Sequence, residues 1–235
     1  MRLTRRLIET CTAILGYVKS GRRIQPIPQD ASGLVKVNLG CGLAVAKGWI
    51  NVDGSLNALV ASWPRAIHKM SYRATGANRY YTCEQYCSIL ENHQFIHHDL
   101  SYGIPFADES VDFVYSSHFL EHMHRQAALH LLQESFRVLK PGGLTRVGVP
   151  DLAYAIKMYT TGKKEKMLSD YFFVEDKDSY YARHKYMYDF ELLGQLLESV
   201  GFKDIKRFSY RQGNTPDLDV LDNRPEDTLY VEARK

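Results

Sequence analysis

Two stretches of the sequence carry groups whose types and spacing could do chemistry. The first is Val35 to Asp53, VKVNLGCGLAVAKGWINVD. Val35, Val37 and Leu39 alternate as in a half-buried strand, and Gly40-Cys41-Gly42 breaks that strand into a turn where backbone amides can approach a ligand. A second apolar run, Trp49 to Val52, ends on Asp53. A carboxylate at a strand tip is placed to accept from two ribose hydroxyls. The second stretch is His118-Phe119-Leu120-Glu121-His122, which spells H-x-x-E-H. That pattern ligates zinc when both histidines share one face of a helix. Near neutral pH, a histidine also suits another task, taking the proton from a hydroxyl as it attacks an electrophile. For that role the candidates are His118 first and His184 second, with His122 and Asp151 behind them.

Spacing narrows these choices. Gly40, Gly42 and Gly48 do not make GxGxxG, and Asp53 follows Gly42 by only 11 residues. A dinucleotide fold needs about 20, to fit the crossover helix that holds a pyrophosphate. A nucleoside lacking phosphate fits this shorter loop better, and an ordinary strand–turn–strand stays open for the stretch taken alone. Zinc at H-x-x-E-H is disfavoured, because the motif follows a strand in a chain whose glycine–acid stretch suits a nucleoside. Cys83-x-x-x-Cys87, with His93, His97 and His98 nearby, matches one turn of helix rather than a zinc knuckle. The expectation is therefore no metal.

The elements that must position these groups can be read in outline. Gln94 to His98 reads as a third strand and Val111 to Tyr115 as a fourth, with Ser116-Ser117-His118 at its carboxyl end. Leu129, Leu132, Phe136 and Leu139 give the next helix a core stripe, ended by Lys140-Pro141-Gly142-Gly143. Leu144 to Val149 is a fifth strand with Asp151 just past it. Asp189 can cap a helix that buries Phe190, Leu193, Leu197 and Val200 and stops at Gly201. Phe202–Tyr210 and Thr228–Ala233 alternate like strands. Residues 1–30 read as a basic amphipathic helix and linker, and 31–235 as one α/β domain with insertions at about 54–92 and 152–188. The second insertion gathers aromatics (Tyr154, Tyr159, Tyr171, Phe172, Phe173, Tyr180, Tyr181, Tyr186 and Tyr188) and reads as a lid over an acceptor, although half of these rings are expected to be core.

Totals exclude other classes. At 235 residues the chain can bury one substantial core. Its four cysteines have no disulfide-framework spacing, which makes a reducing, cytoplasmic compartment the default. No apolar run reaches the ~20 residues that span a bilayer. The net charge of +3 divides into +5 for residues 1–23 and −2 for the rest. A domain with that balance does not attract nucleic-acid phosphates at long range, so no nucleic-acid partner is expected. For the N-terminal helix (Leu3, Leu7, Cys11, Ile14, Leu15, Val18) three readings stay open: a cap over the cofactor, peripheral contact with the inner face of an anionic membrane, or a targeting segment.

NLGCG followed by GWINVD resembles the first two motifs of class I S-adenosylmethionine-dependent methyltransferases, closest to the small type 11 branch often found among surface-glycan genes. PFADESVDFVYSSHFLEHM at Pro105 to Met123, ESFRVLKPGG at Glu134 to Gly143 and HKYMYDFELLGQLLESVGF at His184 to Phe202 agree in order and spacing, so the resemblance runs from about Val35 to the end. It implies a Rossmann-like, seven-stranded, mostly parallel sheet with helices on both faces and a C-terminal antiparallel hairpin. It also implies S-adenosyl-L-methionine as cofactor. Gly40, Cys41 and Gly42 would hold its methionine end, Asp53 the ribose and Asp99 the adenine amino group, with Leu100 as an apolar wall. Ser116 and Ser117 would lie next to the sulfonium, and Asp112 would be structural. Asn38 stands where relatives often carry an acid, and an amide brings no charge to the cofactor's ammonium group. The acceptor expected is a sugar hydroxyl of a surface glycan or its precursor. A small phenolic or amine acceptor, a non-catalytic cofactor-binding subunit and a metallohydrolase using His118, Glu121 and His122 are the alternatives. The sequence says nothing of oligomeric state.

Overall fold

The computed structural model describes residues 10, 12, 14, 15, 17, 18, 21, 24, 27–172 and 183–235. Seven strands form one sheet: β1 (Lys36–Leu39), β2 (Ile50–Asp53), β3 (Gln94–His97), β4 (Val111–Ser117), β5 (Leu139–Pro150), β6 (Lys203–Phe208) and β7 (Thr228–Arg234). Their order is β3-β2-β1-β4-β5-β7-β6. The first five run parallel, and β7 is antiparallel to both β5 and β6. This is the expected Rossmann-like sheet with its antiparallel end.

Chain order reverses between β1 and β4, since β1, β2 and β3 step one way and β4 and β5 the other. Loops leaving the two central strands therefore part in opposite directions and open a crevice at the carboxyl ends, where ligands bind in such sheets. The central position of β1 also changes one expectation. All four of its residues are buried, not alternate ones, because helices cover both faces of a parallel sheet. Its polar residues are accommodated by partners: Lys36 pairs with Asp30 and Asp217 at 3.0 and 2.9 Å.

The helices follow local signals. Asp189 accepts from the Leu192 amide at 2.9 Å and starts helix Phe190–Val200. Gly201, at φ 115°, ends it in a left-handed turn that glycine enters without a Cβ clash. In the 54–92 insertion, Thr82 and Gln85 make a capping box on helix Cys83–Asn92, and Cys87 is buried among Val60, Ala77, Tyr86 and Leu90. Lys140-Pro141-Gly142-Gly143 differs from expectation. Helix Arg125–Val138 has already ended, and Leu139 pairs with Val111 as the first residue of β5. The Gly142 amide then donates to the Lys235 carbonyl, so the prolyl-glycyl turn is carried by pairing with the chain's last residue.

A fully buried charge network joins the far end of the sheet. Arg146 on β5 donates to both carboxylate oxygens of Asp222 and to Glu232, and none of the three side chains is more than 2% exposed. Removing one member leaves an uncompensated buried charge. Asp222→Ala is expected to lower unfolding free energy by about 3–5 kcal/mol, read from the urea midpoint at unchanged slope. A loss under about 1 kcal/mol, the scale of an exposed pair, would show that the network contributes little.

Candidate active site

The crevice begins where β1 ends. The Gly40 amide donates to the Val52 carbonyl at 2.9 Å and folds the loop across the tip of β2. Gly40 has φ +63°, and a Cβ there would fall 2.2 Å from the ring of Phe119. Only glycine meets both conditions. Asp53 then holds the loop from the other side: Oδ2 accepts from the Gly42 amide at 2.8 Å and Oδ1 from the Ser55 amide at 2.7 Å. An ionised carboxylate has about four acceptor positions, so two stay available to hydroxyls. At the end of β3, Oδ1 of Asp99 accepts from the amide and hydroxyl of Ser101 at 2.9 and 2.7 Å. Asp99 is thus a helix cap, with Oδ2 left over to accept from a ligand.

Asp53, Asp99, Gly40, Gly42 and the wall residue Leu100 line one cavity of about 510 Å³, within the range that takes small cofactors. Nothing lies within 4 Å of where a Cβ would stand on Gly42, so the loop leaves the cavity open. Two carboxylates at separate strand tips, an open glycine and an apolar wall fit an adenosine.

The same cavity is lined by His118 and His122, which stand beside a buried carboxylate. His118 follows β4 at φ 51°, a left-handed conformation rare outside glycine, with its amide held by the Gly148 carbonyl at 2.9 Å. Its Nε2 bonds Thr228 Oγ1 at 2.9 Å, and its Nδ1 lies 3.3 Å from Glu121 Oε1. Glu121 is 1% exposed, and neither of its oxygens accepts a hydrogen bond among the described residues. Burial pushes its carboxyl up, but the imidazoles of His118 and His122 more than reverse this, leaving it below the usual glutamate value. His122 Nε2 is 3.8 Å from Oε1, and its Nδ1 donates to the Arg183 carbonyl at 3.2 Å. His184 arrives from far along the chain because the amides of Lys185 and Tyr186 donate to the Glu121 carbonyl, at 2.7 and 3.3 Å. The rings of His122 and His184 lie 5.3 Å apart. Burial lowers the pKa of His184, with the Glu121 charge opposing.

The structure brings most of the expected site together. His118 and His122 share the cavity wall with the cofactor-side residues, and His184 packs behind His122. Other candidates lie apart from it. Asn38 points into the sheet, donating to the Ala44 carbonyl and to Asn51 at 2.8 and 3.1 Å; its amide shapes the glycine loop. Cys41 is buried, and burial together with the Asp53 charge pushes its thiol well up. Ser116 and Ser117 are not among the cavity-lining residues. Neither is Asp151, which caps helix Leu152–Thr160 through Ala153 and pairs with Arg207 at 2.7 Å. Asp112 takes the structural place implied for it, accepting from the Val35 amide and from Lys140, each at 2.8 Å.

Several lining residues carried no signal in the sequence. Leu56, Asn57, Ala74 and Thr75 belong to the 54–92 insertion, which forms a wall rather than an excursion. Phe119 lies inside a motif read for its histidines and acid. Thr12, in the described part of the N-terminal helix, also lines the cavity, while Ile14, Tyr17 and Val18 stay more than half exposed. Tyr17 meets Tyr102 edge-on at 6.0 Å. Leu3, Leu7 and Cys11 lie outside the described residues. Of the expected lid, Lys185 lines the cavity; Ala155, Met158, Met167 and Tyr171 pack on one another as a separate core. Phe173, Tyr180 and Tyr181 lie outside the described residues. No helix among the described residues is long and apolar enough to cross a membrane.

Charge-assisted hydrogen bonds accepted by Asp53 from ribose hydroxyls are worth about 1.5–3 kcal/mol. Asp53→Ala is expected to weaken demethylated-cofactor binding by about 10- to 100-fold by calorimetry. Unchanged affinity would remove the nucleoside from this cavity.

Residues 38–147 match the family model described as a methyltransferase domain. No curated protein matches the chain. Among solved structures, one titled a methyltransferase and possible histamine N-methyltransferase, from Thermotoga maritima, is 17% identical over 99% of this chain and 92% of that one, with TM-score 0.51. A possible exported protein from Bordetella parapertussis is 13% identical over 96% and 67%, also at 0.51. A methyltransferase from Archaeoglobus fulgidus is 15% identical over 98% and 94%, at 0.49. At these identities the likeness to the two structures at TM-score 0.51 speaks for the fold, and the family match for the activity. The chain carries a methyltransferase domain of the class that uses S-adenosylmethionine as cofactor.

Proposed function

We propose that this enzyme methylates a hydroxyl, on a sugar of a surface glycan or its precursor, and that His122 accepts the proton. The observation that carries this reading is the buried Glu121 carboxylate beside two imidazoles that line the same cavity as Asp53 and Asp99. A hydroxyl is a weak nucleophile at neutral pH, and its proton must leave as the new bond forms.

Geometry favours His122 over His118 for that task. His118 has Thr228 Oγ1 at 2.9 Å from Nε2 and Glu121 Oε1 at 3.3 Å from Nδ1, whereas Glu121 Oε1 lies farther from His122 Nε2, at 3.8 Å, and His122 lines the cavity. His122 commits Nδ1–H to the Arg183 carbonyl, which leaves the Nε2 lone pair as acceptor. Glu121 then acts on the histidine and not on the substrate: its charge stabilises the imidazolium that forms. His118 holds Glu121 in turn. The resemblance to the surface-glycan branch, and the ring of Phe119 at the cavity, support a sugar as the acceptor.

S-adenosylmethionine supplies an already activated methyl group. Asp53 and Asp99 fix the nucleoside, and the histidine wall fixes the acceptor oxygen in line with it. Such alignment can contribute up to ~7–11 kcal/mol where geometry is near ideal.

The protein, given cofactor and parallel panels of sugars, phenols and amines, is expected to yield sugars heavier by one CH₂, read by mass spectrometry. Methylation confined to amines would overturn the hydroxyl reading, and cofactor binding with no product on any panel would favour a non-catalytic subunit. His122→Ala is expected to lower kcat by about 10²–10⁴-fold with little change in cofactor affinity. A kcat equal to that of the parent chain would remove His122 from the mechanism.

A further inference from the structure

Glu121, His122 and His184 have a second chemical capacity. One ligand atom from each lies within 4.8 Å of those of the other two. Hydrogen bonds fix the tautomer of both histidines. His184 bonds the Tyr171 carbonyl through Nδ1 at 2.7 Å, and His122 bonds the Arg183 carbonyl through Nδ1 at 3.2 Å. A carbonyl only accepts, so both rings carry hydrogen on Nδ1 and both keep Nε2 as a lone pair. Metal-ligating histidines characteristically donate the other ring N–H to a carbonyl or carboxylate in this way. The third donor is a 1%-exposed carboxylate that accepts no hydrogen bond among the described residues. The ring nitrogens of His118 and His122 stand 3.3 and 3.8 Å from its Oε1, and a divalent cation would meet the same charge more directly.

We infer that Glu121, His122 and His184 form a divalent-cation site in the cavity wall, with a donor set suited to zinc. Two imidazole nitrogens and one carboxylate oxygen form a three-ligand set that zinc accepts while keeping a fourth position open. Tetrahedral ligation at about 2.0–2.1 Å sets neighbouring ligand atoms about 3.3 Å apart. His122 Nε2 and Glu121 Oε1, at 3.8 Å, need a small approach. The motif enters this site differently from its sequence reading. The strand ends in a left-handed residue and a short turn over Leu120–His122, so the two motif histidines share no long helix face, and His184 is the third ligand in place of His118.

The site shares His122 with the proton-accepting role above, and in that respect the inference rests on the functional reading. A cation on Nε2 takes the lone pair the proton needs, so zinc would inhibit methyl transfer.

The test uses the full chain, stripped by chelator and titrated with Zn²⁺, with Co²⁺ as the spectroscopic probe. One equivalent should bind, and Co²⁺ should show visible bands of a four- or five-coordinate nitrogen–oxygen site. His184→Ala and His122→Ala should each weaken Zn²⁺ by at least about 10-fold, the low end of what even an outer-shell partner contributes. Binding of demethylated cofactor at Asp53 and Asp99 verifies that each variant is folded. Absence of saturable Zn²⁺ binding in the parent chain overturns the site, as does equal binding in parent and folded variants. Binding that leaves methyl transfer unimpaired supports the site and removes His122 from the proton-accepting role, so the two readings fail separately.

Discussion

The cofactor side of this molecule depends on one hydrogen-bonded constraint, the Asp53 carboxylate held between the amides of Gly42 and Ser55. That bridge ties the exit of β1 to the exit of β2, beside the β1–β4 boundary where strand order reverses. It sets the glycine loop beside the cavity, and it leaves acceptor positions of the same carboxylate open to a ligand there. Gly40 completes the constraint from above, since Phe119 occupies the volume any side chain there would need. A loop this short holds its shape because both ends are pinned to adjacent strands, and the ring behind it belongs to the same segment that brings in the histidines.

The fold was largely legible in the residues. Strands announced themselves by short apolar runs ending in glycine or acid, and the two best helix signals, Asp189 and Gly201, act through local backbone chemistry that sequence displays directly. Lys140 to Gly143 misled because a Pro-Gly-Gly run reads as a stop, whereas its actual partner is Lys235, more than 90 residues further along the sequence. The 54–92 insertion was opaque for a similar reason. Its packing depends on Tyr86, Cys87 and Leu90 meeting Val60 and Ala77, contacts with no periodic trace long enough to see.

The site divides along the same line. Asp53, Asp99 and the glycines could be found because each sits at the tip of its own strand. Asn38, Asp151, Ser116 and Ser117 were drawn into the site by position, but their side chains serve the fold or lie outside the cavity. His184 joins Glu121 through a backbone hook at Lys185 and Tyr186, and no spacing rule reports a contact made by a carbonyl.

At the other end of the sheet, β6 is an edge strand, and Lys203, Asp204 and Lys206 lie exposed along it. A row of charges on an edge is a common defence against unwanted strand addition. For the sheet to grow from one molecule into the next, the charges on both copies would have to give up water, which disfavours strand addition at that edge.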